Sequence, residues 1–439
     1  MPTYKLTYFP VKALGEPIRF ILSYAGVEFV DDRFNQEDWP KIKPTTPFGQ
    51  VPVLEIDGKK VNQSFAICRY LAKQYKLAGK NDWEALEIDV TIDNINDLRA
   101  KIAAFHYETN ETVKAEKRKV ADELVPFYLE RLDAQVQKNG GYFVGGAVSW
   151  ADLTFVALLD YLNHMHKEDI IEKYENLKQL KQKVLEIPNI KKWVEKRPPS
   201  DLYGSVISMS ITGEDEKNTQ FPFPTRKICM CVCLWKNMPT YKVTYFNITG
   251  LGEPIRYLLS QSGIKFEDVR LTFDEWPKHK PNTPLGQLPV LEIDGQKYPQ
   301  SKAISRFIAK KGNLYGSDDI EALEIDATVE TIDDLRVALS TYYWEQDAAL
   351  KAKLKETADQ KLPFLLEKLE AQVKSNGGHF VRGKLSWADL LWAAYCEYLS
   401  VVLAGDPNKD HPELKKLVEK VRALPNIKAY IEKRPKTEL

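Results

Sequence analysis

Along this chain the alternation of apolar and polar positions changes character once, and the whole change is then repeated. YKLTYF, at residues 4–9, is a β-branched and aromatic run that reads as a strand. GEPIRFILSYAG reads as the helix that follows, with Pro17 in its first turn and Gly26 past its end. VEFVDDRF predicts a second strand, and the polar stretch with Trp39, Pro40 and Pro44 has room only for a short helix. VPVLEIDGKKV carries two short strands around Asp57-Gly58, a dipeptide suited to a tight hairpin. QSFAICRYLAKQYKL sets Phe65, Ala66, Ile67, Tyr70 and Leu71 on one face of a helix starting at Ser64. The order β-α-β-α-β-β-α is a thioredoxin-like layout. From Trp83 onward the strand signals stop, and three long segments repeat apolar residues at spacings of three and four, which predicts an all-helical domain. Ser149 and Asp152 are spaced as a helix-capping pair, and Ser386 with Asp389 repeats it.

The repeat is nearly literal. MPTYKLTYFPVKALGEPIR returns as MPTYKVTYFNITGLGEPIR from Met238, and a constant offset of 237 aligns Tyr8 with Tyr245, Trp39 with Trp276, Pro52 with Pro289, Trp150 with Trp387 and Arg197 with Arg434. The expected fold class is therefore α/β plus all-α, twice. The expected thioredoxin-like domains are 1–79 and 238–316, and the all-helical domains are 80–202 and 317–439. Residues 203–237 have no counterpart in the repeat and read as a linker: a polar run, GEDEKNTQ, then Pro222 and Pro224, then KICMCVCLWKN. Copy one closes on KRPPSDL, copy two on KRPKTEL, and copy two opens on its own Met238. Two origins stay open for the segment between them, a true tether and translated sequence between neighbouring genes.

Composition narrows the function classes. A chain of 439 residues exceeds one hydrophobic core. Its 62 basic and 62 acidic side chains give no net field to draw a polyanion or an anionic membrane, so neither nucleic acid nor membrane is an expected partner. No basic-then-apolar leader and no apolar run of about 18 residues occurs, which predicts a cytoplasmic protein. Five cysteines form no disulfide framework: Cys68 and Cys396 lie in helical patterns and Cys229, Cys231 and Cys233 crowd the linker, so reduced thiols are expected.

Candidate chemistry starts at Tyr8, where a strand runs out into a loop, the place where open α/β sheets bind ligands. Taken alone, that position favours the plainer reading, a tyrosine packed at a strand end as a core residue. A thiol-disulfide oxidoreductase would share the layout but needs a cysteine where Tyr8 stands. His164 and His166, the closest pair among six histidines, read as exposed helix-end residues, and no metal site is expected.

In order and spacing, YKLTYF, EDWP or DEWP, P-x-L-G-Q-x-P-V-L-E-I-D-G or its Phe48 variant, Q-S, SWAD and the closing W-V-E-K-R-P or Y-I-E-K-R-P resemble the soluble glutathione transferases, and among them the sigma class, which includes arthropod enzymes, cockroach allergens and haematopoietic prostaglandin D synthases. The resemblance covers both copies end to end. It implies that Tyr8 and Tyr245 ionise the thiol of glutathione, a co-substrate rather than a cofactor, and that Val51 and Leu288, each before a cis-proline at Pro52 or Pro289, pair with its cysteinyl unit. It implies further that Gln63 with Ser64, and Gln300 with Ser301, seat the γ-glutamyl carboxylate at a helix amino end. Trp39 with Lys43, and Trp276 with Lys280, match residues at the glycyl end, with Gln50 and Gln287 where some relatives carry lysine. Asp97 and Asp334 match an aspartate that reaches the neighbouring subunit's γ-glutamyl amine, which implies dimeric sites: an internal pseudo-dimer of the two copies, or a homo-oligomer. Phe9, Leu14, Phe246 and Leu251 would line the second-substrate pocket.

The pocket also departs from part of the family. Prostaglandin-forming relatives carry arginine where this chain has Leu14 and Leu251, and tryptophan where it has Ala104 and Thr341. Conjugation of glutathione to small hydrophobic electrophiles, lipid-peroxidation products among the candidates, is the activity the resemblance implies. The alternatives are an isomerase of the prostaglandin D synthase type and a non-catalytic glutathione-binding or crystallin-like protein. Lys12 faces Thr249 and Pro10 faces Asn247 in the alignment, so the two copies are expected to prefer different electrophiles.

Overall fold

A computed structural model of the chain describes residues 2–200 and 239–437. The expected linker at 203–237, with Cys229, Cys231 and Cys233, lies outside the described residues. In copy one the sheet domain runs β1 (Tyr4–Tyr8), α1 (Glu16–Tyr24), β2 (Val30–Arg33), α2 (Trp39–Ile42), β3 (Val53–Ile56), β4 (Lys59–Asn62) and α3 (Ser64–Gln74). The helical part follows as α4 (Asp82–His106), α5 (Glu111–Lys138), α6 (Trp150–His166), α7 (Glu175–Leu185) and α8 (Pro188–Lys196). Copy two repeats the series as β5 (Tyr241–Phe246), α9 (Glu253–Gln261), β6 (Phe266–Leu271), α10 (Trp276–His279), β7 (Val290–Ile293), β8 (Gln296–Tyr298) and α11 (Ser301–Lys311). Its helical part is α12 (Asp319–Trp344), α13 (Ala348–Ser375), α14 (Trp387–Val402), α15 (Pro412–Arg422) and α16 (Pro425–Lys433).

Each sheet has four strands, in the orders β2-β1-β3-β4 and β6-β5-β7-β8. β1 pairs parallel to β2, with Tyr8 opposite Arg33, and antiparallel to β3, with Leu6 opposite Leu54. The hairpin between β3 and β4 turns on Asp57 and Gly58 at φ 49° and 87°, and Asp294 with Gly295 does the same at 48° and 84°. A turn with both central residues left-handed matches the strand twist, which is why Asp-Gly marks it so clearly.

Sheet and helices are joined by one buried charge cluster in each copy. The Arg19 guanidinium is inaccessible to solvent and donates to Asp31, Glu16 and the Val11 carbonyl at 2.9, 3.1 and 2.9 Å. The second oxygen of Glu16 accepts from Trp193 Nε1 at 2.9 Å and from Arg197 at 2.8 Å, both at the end of the helical domain. Arg256, Glu253 and Arg434 repeat this cluster in copy two. The closing K-R-P of each copy thus clamps its last helix to its first. At the other end of the helical domain, Ser149 and Asp152 form the expected capping box, and the free oxygen of Asp152 accepts from Phe143 N–H at 2.8 Å. Burial pushes that carboxyl up to about 6 despite these bonds. Trp150 and Trp387, the next residues, are among the most deeply buried side chains.

The two copies meet along α3 and α4 of the first and α11 and α12 of the second. Leu86 of copy one is buried in the core of copy two, and its counterpart Leu323, together with Ala327, is buried in the core of copy one. At the centre lie four charges. Arg69 reaches Asp89 at 2.7 Å and Asp326 at 3.2 Å, while Arg306 reaches Asp326 at 2.9 Å and Asp89 at 3.4 Å. Trp83 adds a flat cover, its ring 4.9 Å from that of Phe307. Removing one member of a buried ion cluster leaves an uncompensated charge, which typically costs about 3–5 kcal/mol. Arg69→Met is therefore expected to lower the unfolding free energy of the whole chain by about that amount, read from its urea denaturation midpoint.

Candidate functional site

Both tyrosines end up at the carboxyl ends of first strands, in closely matched surroundings. Tyr8 and Tyr245 are buried, each with an arginine, Arg19 or Arg256, 5.9 or 5.8 Å from the ring centre. Gly15 and Gly252 open the helices that press on these rings: a methyl group on either would come within 2.5 or 2.4 Å of a ring carbon. The Tyr245 hydroxyl oxygen accepts the backbone N–H of Leu251 at 3.1 Å. Burial pushes the Tyr8 phenol up to about 12, against the pull of the Leu14 N–H and of Arg19, and burial raises Tyr245 in the same way. Each phenol is therefore neutral at physiological pH. In copy two the oxygen is already occupied by the Leu251 amide, which leaves the O–H proton to be given away, and in copy one the Leu14 N–H acts on the Tyr8 phenol in the same sense.

Across from each tyrosine the chain turns on a cis-proline, Val51-Pro52 or Leu288-Pro289. Among the described residues the peptide groups of Val51 and Leu288 have no hydrogen-bond partner, so each offers a strand-like edge. Next come Gln63 and Gln300, at φ 73° and 75°, a left-handed conformation that is strained for a residue with a side chain. They sit just before the first residues, Ser64 and Ser301, of helices whose early N–H groups point outward.

What holds these glutamines is the opposite copy. Gln63 donates to Asp334 at 3.0 Å and to Thr331 at 3.3 Å; Gln300 donates to Asp97 at 2.9 Å and Asn94 at 2.8 Å. Gln50 donates to Asp334 at 3.3 Å and accepts from Gln63, whereas Gln287 donates to Tyr128 of copy one at 2.9 Å. Gln50, Gln63, Asp97, Gln287, Gln300 and Asp334 line a single cleft of about 1050 Å³ along the junction. Trp39, Trp276, Phe9, Leu14, Phe246 and Leu251 line it too, with Val51, Pro52, Leu288, Pro289, Ser64 and Ser301. Lys43 and Lys280 stand behind the lining, their side chains passing close to Gly49 and Gly286. The Tyr8 ring packs edge-on, 5.9 Å away, against Phe9 of the lining, and Tyr245 opens into an adjoining cavity of about 310 Å³.

Several residues of the cleft escape sequence reasoning. Lys302, which aligns with Phe65, is half-buried at the junction between Glu330 at 2.6 Å and Asp333 at 3.2 Å. Burial alone would discharge it, but Glu330, Asp333 and Asp93 outweigh burial and hold the ammonium charged. Asp93, facing it from copy one, is buried with one carboxylate oxygen unpartnered. The only signal for this pair was the Phe-to-Lys difference between otherwise similar helices. One expectation is corrected outright: His166 is not exposed but buried, its ring edge-on to Phe105 at 6.0 Å, because the last turn of α6 tucks under α4. His164, two residues earlier, is partly accessible.

The sheet with its cis-proline edge and the helical domain behind it define a class, and comparison with known proteins names it. The glutathione S-transferase N-terminal domain profile matches residues 3–73 and 241–310, and the C-terminal domain profile matches 96–197 and 333–434. The chain belongs to the glutathione S-transferase family, with both domains present twice. Among similar proteins, a glutathione S-transferase of Anopheles gambiae is 50% identical over 204 residues, spanning 46% of this chain and 100% of that protein. Glutathione S-transferase S1 of Drosophila melanogaster is 44% identical over 201 residues, 46% of this chain and 81% of that one. A hematopoietic prostaglandin D synthase of Gallus gallus is 40% identical over 202 residues, 46% of this chain and 100% of that one. Each spans one copy.

Asp93 gives the cleft a pH signature. Burial pushes its carboxyl from 3.8 to about 7, with Glu330 adding to the rise and Lys302, Arg306 and Arg69 opposing it. A raised acid binds its proton more tightly in the folded chain, so its destabilising effect is absent near pH 4, grows as pH rises, and is complete above pH 7. Asp93→Asn is expected to match the parent near pH 4 and to exceed it at pH 8, by up to about 4 kcal/mol, in unfolding measured across that range.

Proposed function

We propose that each copy is a sigma-class glutathione transferase that ionises the thiol of glutathione and delivers the thiolate to a small hydrophobic electrophile. The observation that carries this reading is a buried tyrosine at the end of the first strand together with an unpaired cis-proline edge in both copies, the Tyr245 oxygen being engaged by the Leu251 amide. A free thiol has a pKa near ~8.5, so little is ionised at neutral pH. A neutral phenol bonds the thiolate better than the thiol. Lowering the thiol pKa by about two units takes roughly 2.7 kcal/mol, the order of one hydrogen bond to an anion. The proton leaves to solvent, the sulfur lone pair forms the new S–C bond, and the leaving group departs with its own bonding pair.

In this reading the unpaired groups of Val51 and Leu288 bind the cysteinyl peptide, and the helix starts at Ser64 and Ser301 receive the γ-glutamyl carboxylate. Asp334 serves the copy-one ligand and Asp97 the copy-two ligand, each through the γ-glutamyl amine, beside Gln63 and Gln300. Trp39 and Lys43, or Trp276 and Lys280, flank the glycyl end with Gln50 or Gln287. Phe9, Leu14, Phe246 and Leu251 receive the electrophile. The domain limits 1–79, 80–202, 238–316 and 317–439 follow the same reading. A cytoplasmic setting suits the buried, uncombined thiols of Cys68 and Cys396.

Two outcomes test it. Tyr8→Phe with Tyr245→Phe is expected to retain glutathione, to raise the bound thiol's pKa by about two units, followed by its ultraviolet absorbance, and to cut conjugation at neutral pH about a hundredfold. A thiol pKa left unchanged would sink the reading. The assembly we propose is an internal pseudo-dimer, supported by the cross-copy bonds of Gln63 and Gln300 and by the exchange of Leu86 and Leu323 between cores. Light scattering on the intact chain at low concentration is expected to give the mass of one chain, and twice that mass would contradict internal pairing.

A further inference from the structure

The two sites differ in charge beside a shared arginine. Arg99 and Arg336 occupy equivalent positions, on α4 and α12, and both line the junction cleft. One turn earlier copy one has Asn96 where copy two has Asp333. Arg99 therefore spends its Nε and Nη2 donors on a neutral amide oxygen, at 3.0 and 2.8 Å, and among the described residues it has no carboxylate partner. Arg336 donates its Nε to the Asp333 carboxylate at 2.7 Å. That carboxyl is held well below the usual range, since Arg336 and Lys302 together outweigh its burial. Both guanidiniums act on the reacting tyrosine of their own copy, and both favour its ionised form.

The walls follow the same division. In copy two, Phe273 stands 55% exposed and stacks on Phe246 with ring centres 4.7 Å apart. Trp344, 47% exposed, is fixed by its Nε1 donating to the Tyr398 hydroxyl at 3.0 Å. Both line the cavity beside Tyr245. The equivalent residues in copy one are Gln36 and Tyr107, and Thr249 is replaced by Lys12, which is paired with Asp160 at 2.6 Å. Exposed flat rings around a cavity give up little rotamer freedom on binding and offer large apolar area, whereas a guanidinium without a counter-ion offers a forked donor to a carboxylate.

We infer that the two copies divide their electrophiles by charge: copy one, through Arg99, selects those carrying a carboxylate, and copy two, where Asp333 neutralises Arg336, selects neutral aromatic ones. Arg99 and the Asn96/Asp333 pair are the specificity-determining residues, and the inference rests on both sites being transferase centres.

The test uses the full chain with one tyrosine removed at a time. Tyr245→Phe reports copy one and Tyr8→Phe reports copy two. The probes are a neutral chloronitrobenzene and the corresponding chloronitrobenzoate, and the quantity read is the benzoate-to-benzene ratio of kcat/KM, in which intrinsic reactivity cancels between chains. The ratio is expected to be about tenfold higher for copy one and to shrink with added salt. Arg99→Gln should abolish the excess and Arg99→Lys should largely keep it, which separates charge from packing. Asp333→Asn should raise the ratio in copy two. Equal ratios in the two chains, or a ratio indifferent to Arg99→Gln, overturn the inference. Absence of turnover with either probe would instead remove the transferase reading. In that case calorimetric binding of the two preformed glutathione conjugates decides the charge selection: a preference for the carboxylate conjugate that Arg99→Gln erases upholds it, and no preference overturns it.

Discussion

The buried quartet of Arg69, Asp89, Asp326 and Arg306 is the constraint on which the rest of this molecule depends. Four charges taken out of water are tolerated only when each faces an opposite charge from both copies, so the quartet fixes how α3 and α4 meet α11 and α12. Around it the copies exchange apolar residues, Leu86 one way and Leu323 the other. The cleft with both sites is built on this seam. Each site borrows an aspartate across it, which accepts from the side chain of the glutamine that stands in a left-handed conformation before the third helix.

The seam is nearly two-fold but not wholly so. Gln50 reaches Asp334 directly, while Gln287 is held by Tyr128, whose counterpart in copy two is Leu365. Trp83 covers Phe307, but the equivalent of Trp83 is Ile320. Lys302 places an ion-paired ammonium where copy one has Phe65. In a symmetric homodimer every such change would occur twice. In a tandem chain each half drifts separately, so the charge and shape of the two sites can diverge while the seam holds.

Much of this was legible in the residues themselves. The period of two in YKLTYF, the helical spacing after Ser64 and Trp83, the left-handed pair Asp57-Gly58 and the Ser149–Asp152 cap are local signals, because neighbouring residues carry their whole physical cause. The repeat at an offset of 237 was legible for the same reason. Position at a strand end singled out Tyr8 as a candidate, although not its role.

Tertiary structure decided what depends on residues far apart in the chain. That the Tyr245 oxygen is taken by an amide, that Arg197 clamps Glu16, that His166 is covered by Phe105 and that Asp93 meets Lys302 are consequences of packing, which sets solvent access and the distance between charges. Asn96 and Asp333 illustrate the boundary. The sequence records the substitution, but only the fold places it beside an arginine at the mouth of the site, where one carboxylate more or less determines whether that arginine's charge is free to act.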